Sequence, residues 1–253
     1  MARYFIKLSY DGSNYHGWQI QVNANSIQTE LNTALSTIVG QTTACTGCGR
    51  TDAGVHAAEF YAHFDAKSAA ISPDFIYKIN GCLPSDIAVH KLYAVNDDAN
   101  SRFDAISRSY KYQIITRKDV FSQPYAYYYY RRLDLSAMNI CAEALLEHKD
   151  FSCFSKSKTQ TKTNICCITE ARWTTNDQKL EFRITANRFL RGMVRAIVGT
   201  MLNIGEGKMS KQDFLSTLDS KDRTKAGYSV PAHGLFLDKV SYPDGYLQER
   251  DLL

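Results

Sequence analysis

The 253-residue chain is short of the features that mark several large classes of protein. Its 14 glycines and 5 prolines are too few for a collagen-like chain or a linker rich in those residues. With 44% hydrophobic residues it is not a solvated, disordered chain either. No apolar run approaches the roughly 18–20 residues needed to span a bilayer, so no membrane is expected as a partner. The opening stretch MARYFIKLSYDG alternates apolar and polar residues where a secretory signal needs a continuous apolar core. With seven cysteines and no export signal, the expected compartment is the cytoplasm, with reduced thiols and no disulfide framework.

Chemical motifs are missing too. Gly47-x-Gly49 begins like a dinucleotide loop, but Asp52 stands where the third glycine belongs, and no Lys-Ser/Thr pair follows. Cys45-x-x-Cys48 has no second pair at zinc-ribbon spacing, and Cys166 and Cys167 are adjacent, facing opposite ways in a strand. His56 and His63 do not have the spacing of a helical HExxH site, and there is no Gly-x-Ser-x-Gly elbow. None of these spacings makes a dinucleotide loop or a metal site, and the cysteines read as reduced core or surface residues.

At about 150 residues per domain, the length suits one or two domains. Net charge is only +4, but it is unevenly spread. Residues 151–225 hold 14 Lys and Arg against 7 Asp and Glu, a balance of +7, which leaves −3 for the remainder. A local positive region is the electrostatic footprint of phosphate contacts, although a Lys-rich solvated surface has the same composition. Alternation predicts strands over Arg3–Tyr10, Asp86–Val95 and Ile106–Thr116, near 164–174 and 179–186, and over 234–242. The VHAAEFYAHFDA stretch and the aromatic Tyr125–Tyr130 stretch also read as strands. Helices are predicted from about Ser26 to Val39, Ser72 to Ile79, Leu135 to His148, Phe189 to about Asn203 and over 210–219. Each half mixes strands and helices without strict alternation, which argues for α+β with largely antiparallel sheet, divided at 1–105 and 106–253. Ser155–Thr163, with Lys156 and Lys158, reads as a mobile basic loop.

The densest chemistry lies in Gly47-Cys48-Gly49-Arg50-Thr51-Asp52-Ala53-Gly54-Val55-His56. In an extended segment, Arg50 and Asp52 would point the same way, and a carboxylate beside a guanidinium stays ionised. Such a carboxylate suits a nucleophile or general base; an Arg–Asp pair that merely fixes a turn has the same spacing. On a helix beginning at Phe189, Arg188, Arg191 and Arg195 would share an arc of about 60°. That stripe suits phosphates, as it also suits a plain solvated face. Arg108-Ser109-Tyr110-Lys111-Tyr112 again mixes cations with rings able to stack on bases, though tyrosines in strands are commonly packing.

Together these residues resemble the TruA family of tRNA pseudouridine synthases. Tyr10-Asp11-Gly12 with Gly17-Trp18-Gln19 is similar to the family's N-terminal signature, and Gly49–Ala57 to its catalytic loop. Arg108–Tyr112 is similar to its tyrosine motif, and Asp150-Phe151-Ser152 with Phe154 to its mid-chain segment. Phe189-Leu190, Met193-Val194-Arg195 and Val198-Gly199-Thr200 resemble its late helix, and Pro231–Leu235 its last motif. The motifs run in the family's order across roughly residues 4 to 242. Many members carry Gly-Asn-Gly before Phe-Leu and an aromatic-His pair after it; here Ala186-Asn187-Arg188 and Arg191-Gly192 stand there.

The resemblance implies an isomerase converting uridine to pseudouridine at positions 38, 39 and 40 of the tRNA anticodon stem–loop. It also implies two α/β halves resembling RRM-type (ferredoxin-like) modules with a cleft between them, no cofactor, and a homodimer that binds tRNA. By resemblance, Asp52 would be the essential carboxylate, Tyr110 the ring against the target base and Arg195 the ionic partner of Asp52. Arg50 would hold the flipped nucleotide or occupy its place, and Leu235 would line the pocket. Arg108, Arg188, Arg191, Lys156 and Lys158 are the expected RNA contacts. Two rivals share parts of this pattern: a catalytically silent RNA-binding module, and a hydrolytic nucleosidase that also uses a carboxylate.

Overall fold

The computed structural model describes residues 1–156, 162–176 and 179–249. In chain order it holds β1 (Ala2–Tyr10), α1 (Ile27–Val39), β2 (Thr46–Gly47), β3 (His56–Ala66), α2 (Phe75–Cys82) and β4 (Ile87–Ala94). There follow β5 (Ser107–Ile115), β6 (Tyr127–Tyr128), α3 (Leu135–Glu147), β7 (Ile168–Asn176) and β8 (Lys179–Ala186). The last elements are α4 (Met193–Gly205), α5 (Lys211–Ser220), β9 (Leu235–Ser241) and β10 (Gln248–Glu249). The architecture is mixed α/β with mostly antiparallel sheet.

Two units emerge, one of Met1–Ser107 with Leu237–Leu253 and the other of Arg108–Phe236. The sequence division at 105/106 therefore lies two residues short of this boundary, and it leaves out the return of the C-terminal segment to the first unit. Specific contacts hold that segment there. Val240 N–H donates to Glu59 Oε1 at 3.0 Å, Ile106 N–H to the Ser241 carbonyl at 2.8 Å, and Tyr242 Oη to the Ser101 carbonyl at 2.6 Å.

In the first unit, β1 is central, antiparallel to both β3 and β4, and β10 adds to the outer edge of β4. Helix α1 starts and stops as its sequence requires. Ser26 caps it by accepting from Thr29 N–H, Ile27, Leu31, Ala34 and Leu35 are buried, and Gly40 ends it at φ 73°. Helix α2 begins at Phe75 rather than Ser72, because Ser72 and Asp74 form the preceding turn.

In the second unit, β8 lies between β5 and β7, antiparallel to both, and β6 adds to β5 in parallel. Of the expected Tyr125–Tyr130 strand only Tyr127–Tyr128 pairs, since Gln123–Tyr125 is a 3-10 turn. Residues 164–166 do not join β7. Asn164 and Cys166 bond instead to the backbone of Phe151 and Lys149. Cys166 is buried and Cys167 exposed, as adjacent strand-like residues should be.

The largest correction concerns α4. It starts at Met193, four residues later than expected, because Gly192 adopts φ 71° and breaks the right-handed path. Arg188 and Arg191 thus precede the helix, and the arginine stripe is not a helical face.

Candidate active site

Asp52 sits in a turn closed by Val55 N–H donating to the Asp52 carbonyl at 3.2 Å, with Gly54 at φ 74°. The residue is half-buried, while Arg50 two positions earlier is exposed. What holds this turn lies far away in sequence. Gly17, at φ 93°, lies against it so closely that a Cβ would stand 2.4 Å from the Thr51 carbonyl oxygen. Gly12 lies equally close on the other side, where a Cβ would meet the Val55 carbonyl oxygen at 2.1 Å. Trp18 N–H donates to the Thr51 carbonyl at 3.2 Å, and Gly54 N–H to the Tyr15 carbonyl at 3.3 Å. Beneath the turn, the hydroxyls of Tyr10 and Thr51 meet at 2.9 Å in a buried pair. The 10–19 stretch is therefore a bed on which the Asp52 turn rests.

The bed is itself rigid. Trp18 is 1% exposed and stacks on Phe60 with ring centroids 4.1 Å apart, and Tyr10 packs on the same ring at 5.5 Å. The Gly17 and Trp18 carbonyls accept from Ile27 and Gln28 N–H, two donors that a helix start leaves unmet. Gln28 Nε2 donates to the Cys45 carbonyl at 2.7 Å, linking the helix start to the chain that leads into the Asp52 loop. At the far end, buried His56 accepts from Gly12 N–H at Nδ1, and Asp11 Oδ1 lies 3.0 Å from the same nitrogen. Tyr15 Oη donates to Asp86 Oδ1 at 2.6 Å; burial, then that carboxylate, hold its phenol well above the ordinary range.

In the second unit, Tyr110 lies on β5 opposite Ile184 of β8. Its half-buried ring meets Phe189 edge-on, with centroids 5.0 Å apart and planes at 85°. Arg195 occupies the first turn of α4, where Nε donates to the Val230 carbonyl at 2.7 Å and its own carbonyl accepts from Val230 N–H at 3.2 Å. Leu235 opens β9 and is buried. The Pro231–Leu235 motif lies across Tyr112. The Tyr112 hydroxyl donates to the Pro231 carbonyl at 2.8 Å, and a Cβ on Gly234 would stand 2.9 Å from its ring. Burial raises the Tyr112 phenol well above its ordinary range, against a smaller opposing pull from Arg195.

Four of the expected RNA contacts collect at one end of this unit. Arg108 Nη1 donates to the Asn187 carbonyl at 3.1 Å, and Asn187 Oδ1 in turn accepts from Cys167 N–H at 2.8 Å. Arg188 follows directly, and Lys156 N–H donates to the Arg191 carbonyl at 3.1 Å. Lys158 lies outside the described residues. Sequence reasoning missed Val230, Tyr15 and Asp86, which support the site only through the folded chain. The Tyr10-Asp11-Gly12 and Gly17-Trp18-Gln19 signature marked the bed in the sequence, though not what it supports.

Among the described residues, no helix is long and apolar enough to cross a membrane and no group of three or more His, Cys, Asp or Glu could hold a metal ion. Burial pushes the Cys45 and Cys153 thiols up to about 12, which leaves them protonated and unreactive at neutral pH.

Residues 141–243 match the family described as tRNA pseudouridine synthase. The chain is 48% identical over 252 residues to tRNA pseudouridine synthase A of Bacteroides thetaiotaomicron, covering 98% of this chain and 94% of the relative. It is 48% identical over 247 residues to the protein of that name from Porphyromonas gingivalis, covering 96% and 98%. The Bacillus subtilis protein of that name is 38% identical over 239 residues, covering 93% and 97%.

Proposed function

Because the chain belongs to the tRNA pseudouridine synthase A family, we propose that this isomerase acts on uridines 38, 39 and 40 of the tRNA anticodon stem–loop, with Asp52 as its essential carboxylate. The observation that supports Asp52 best is its support: a half-buried carboxylate on a tight turn, braced by two glycines and a buried hydroxyl pair. A carboxylate held this way loses little orientational freedom when it meets substrate.

The reaction explains the residue types. The bond from C1′ to N1 breaks, the uracil turns over, and a bond from C1′ to C5 forms, while the C5 proton leaves and N1 gains one. Asp52 attacks at the base or at C1′, or promotes elimination to a glycal. The uridine must leave its stack, at a cost of a few kcal/mol, and stacking on Tyr110 offsets part of it. Arg50, exposed beside the turn, holds the flipped nucleotide or fills its place. In this reading Arg195 is the cation of the uridine site, Leu235 its apolar wall, and the Tyr110 hydroxyl a group that assists removal of the C5 proton. Water must stay out, or the detached base would be lost. Arg108, Arg188, Arg191 and Lys156 contact tRNA phosphates, with the forked guanidiniums giving two bonds each. The family resemblance supports a homodimer acting in the cytoplasm.

The deciding experiment incubates the purified chain with unmodified tRNA, maps pseudouridine along it and assays free uracil. Pseudouridine confined to 38–40 without free uracil is the expected result. Free uracil would instead identify a hydrolase, and bound but unmodified tRNA a silent binding module.

A further inference from the structure

We propose that Arg223 is a positioning residue for the isomerisation: it shapes the 226–230 segment, whose Val230 carbonyl fixes the guanidinium of Arg195. The proposal rests on the reading of Arg195 as a cation of the uridine site.

Arg223 lies in a short 3-10 turn, Arg223–Lys225, outside every motif that the sequence singled out. Its guanidinium reaches back across the loop that follows. Nη1 donates to the Gly227 carbonyl at 3.0 Å and to the Ala226 carbonyl at 3.4 Å, and Nη2 donates to Ser229 Oγ at 3.2 Å. One planar fork thus gathers three acceptors from four consecutive residues, which sets the curvature of the segment.

That segment runs along the first two turns of α4 and docks at three points. Gly227 N–H donates to Thr200 Oγ1 at 2.8 Å. The Tyr228 carbonyl presses on Gly199, where a Cβ would stand 1.8 Å from its oxygen. Val230 bonds to Arg195 twice, its N–H to the Arg195 carbonyl and its carbonyl to Arg195 Nε. The Nε contact orients the guanidinium plane, because Nε and both Nη atoms are coplanar. Moving the Val230 carbonyl therefore rotates the face that Arg195 presents to substrate. Arg223 is the hub that holds the segment's other residues while Val230 makes that bond. The chain of contact runs Arg223, Gly227 and Ser229, Val230, Arg195, all within one unit.

The test uses the full chain and a tritium-release assay on tRNA labelled at uridine C5. It compares wild type with Arg223→Ala, Arg223→Lys, Ser229→Ala, Arg195→Ala and the Arg195→Ala/Arg223→Ala double variant, with a thermal melt of each. Arg223→Ala is expected to lower kcat on the order of tenfold or more, with KM changed by less than about threefold. Arg223→Lys should recover part of that loss, because an ammonium still reaches the Gly227 carbonyl. Ser229→Ala, which removes one acceptor, should lower kcat in the same direction by less. The double variant should be no slower than Arg195→Ala alone, since Arg223 acts through Arg195. Multiplying losses in the double variant would overturn the proposal, as would a wild-type kcat in Arg223→Ala. If Arg223→Ala does not fold, Ser229→Ala and Arg223→Lys decide, and wild-type kcat in both overturns it. Full turnover in Arg195→Ala would instead overturn the reading of Arg195 on which the proposal rests.

Discussion

The Tyr10 and Thr51 hydroxyls meet at 2.9 Å in a buried pair, one residue ahead of Asp52. Tyr10 ends β1 and Thr51 opens the Asp52 turn, so this bond ties the central strand of the first unit to the proposed reactive carboxylate. Removing the Tyr10 hydroxyl strands its partner in an apolar site. Tyr10→Phe should cost about 1–3 kcal/mol of stability and lower turnover, while Tyr10→Phe/Thr51→Val should cost less than the sum of the single changes. Denaturant melts and tritium release on the three variants check both statements.

Asp52→Asn keeps the shape of the side chain and removes the charge. It should lower turnover by more than about 10³-fold while leaving the melting temperature and tRNA affinity near wild type. A variant that turns over at the wild-type rate removes Asp52 from the mechanism.

Two glycines near Asp52 should respond very differently to a methyl group. Gly17→Ala puts a Cβ 2.4 Å from the Thr51 carbonyl at a positive φ, and should cost about 2–4 kcal/mol and displace the Asp52 turn. A Cβ on Gly49 meets nothing within 4 Å, so Gly49→Ala should be close to neutral. Paired melts and turnover assays separate the two.

The loop cations should show themselves through salt. Arg188→Ala/Arg191→Ala is expected to weaken tRNA binding and to reduce the slope of log K against log salt by about 1.5–2, if each residue meets one phosphate. Filter binding across a salt series reads it directly. An unchanged slope would remove both arginines from the interface.

Buried His63 supplies a pH prediction. It accepts from Ser101 N–H at 3.1 Å through Nδ1, and burial, then nearby Arg3, lower its pKa below the ordinary 6.5. Between that lowered value and 6.5 the unfolded chain binds the proton and the folded chain does not. Stability from this site is therefore complete above about pH 6.5 and is lost as pH falls towards the lowered value. Urea melts from pH 7.5 to 5 should show the decline, and His63→Gln should flatten it.

Local signals were enough for some elements and not for others. Ser26, the apolar spacing through Leu35 and Gly40 define α1 within their own stretch, so its limits were readable in advance. The start of α4 was not, because Phe189–Gly192 has helical composition and only the φ of Gly192 breaks it. Three glycines within residues 47–54 allow a tight turn there on local grounds. Gly12 and Gly17, which brace it, act across about 35–45 residues of chain, and no periodicity reports that distance. Arg195 stood in a motif, whereas its partner Val230 offers only a backbone carbonyl, which no residue type advertises.

The return of Leu237–Ser241 to the first unit also sets an order of assembly during translation. A ribosome completes β1, β3 and β4 long before the residues that donate to Glu59 and accept from Ile106 exist. The unit made first is thus the one finished last: until β9 emerges to lie beside β3, only the short β2 covers the side of β3 away from β1, and the rest of that edge is open to other chains. A nascent chain stalled near residue 236 would expose that edge, so ribosome-bound chains of graded length should gain protease resistance in the 56–66 region only after residue 241 has cleared the exit tunnel.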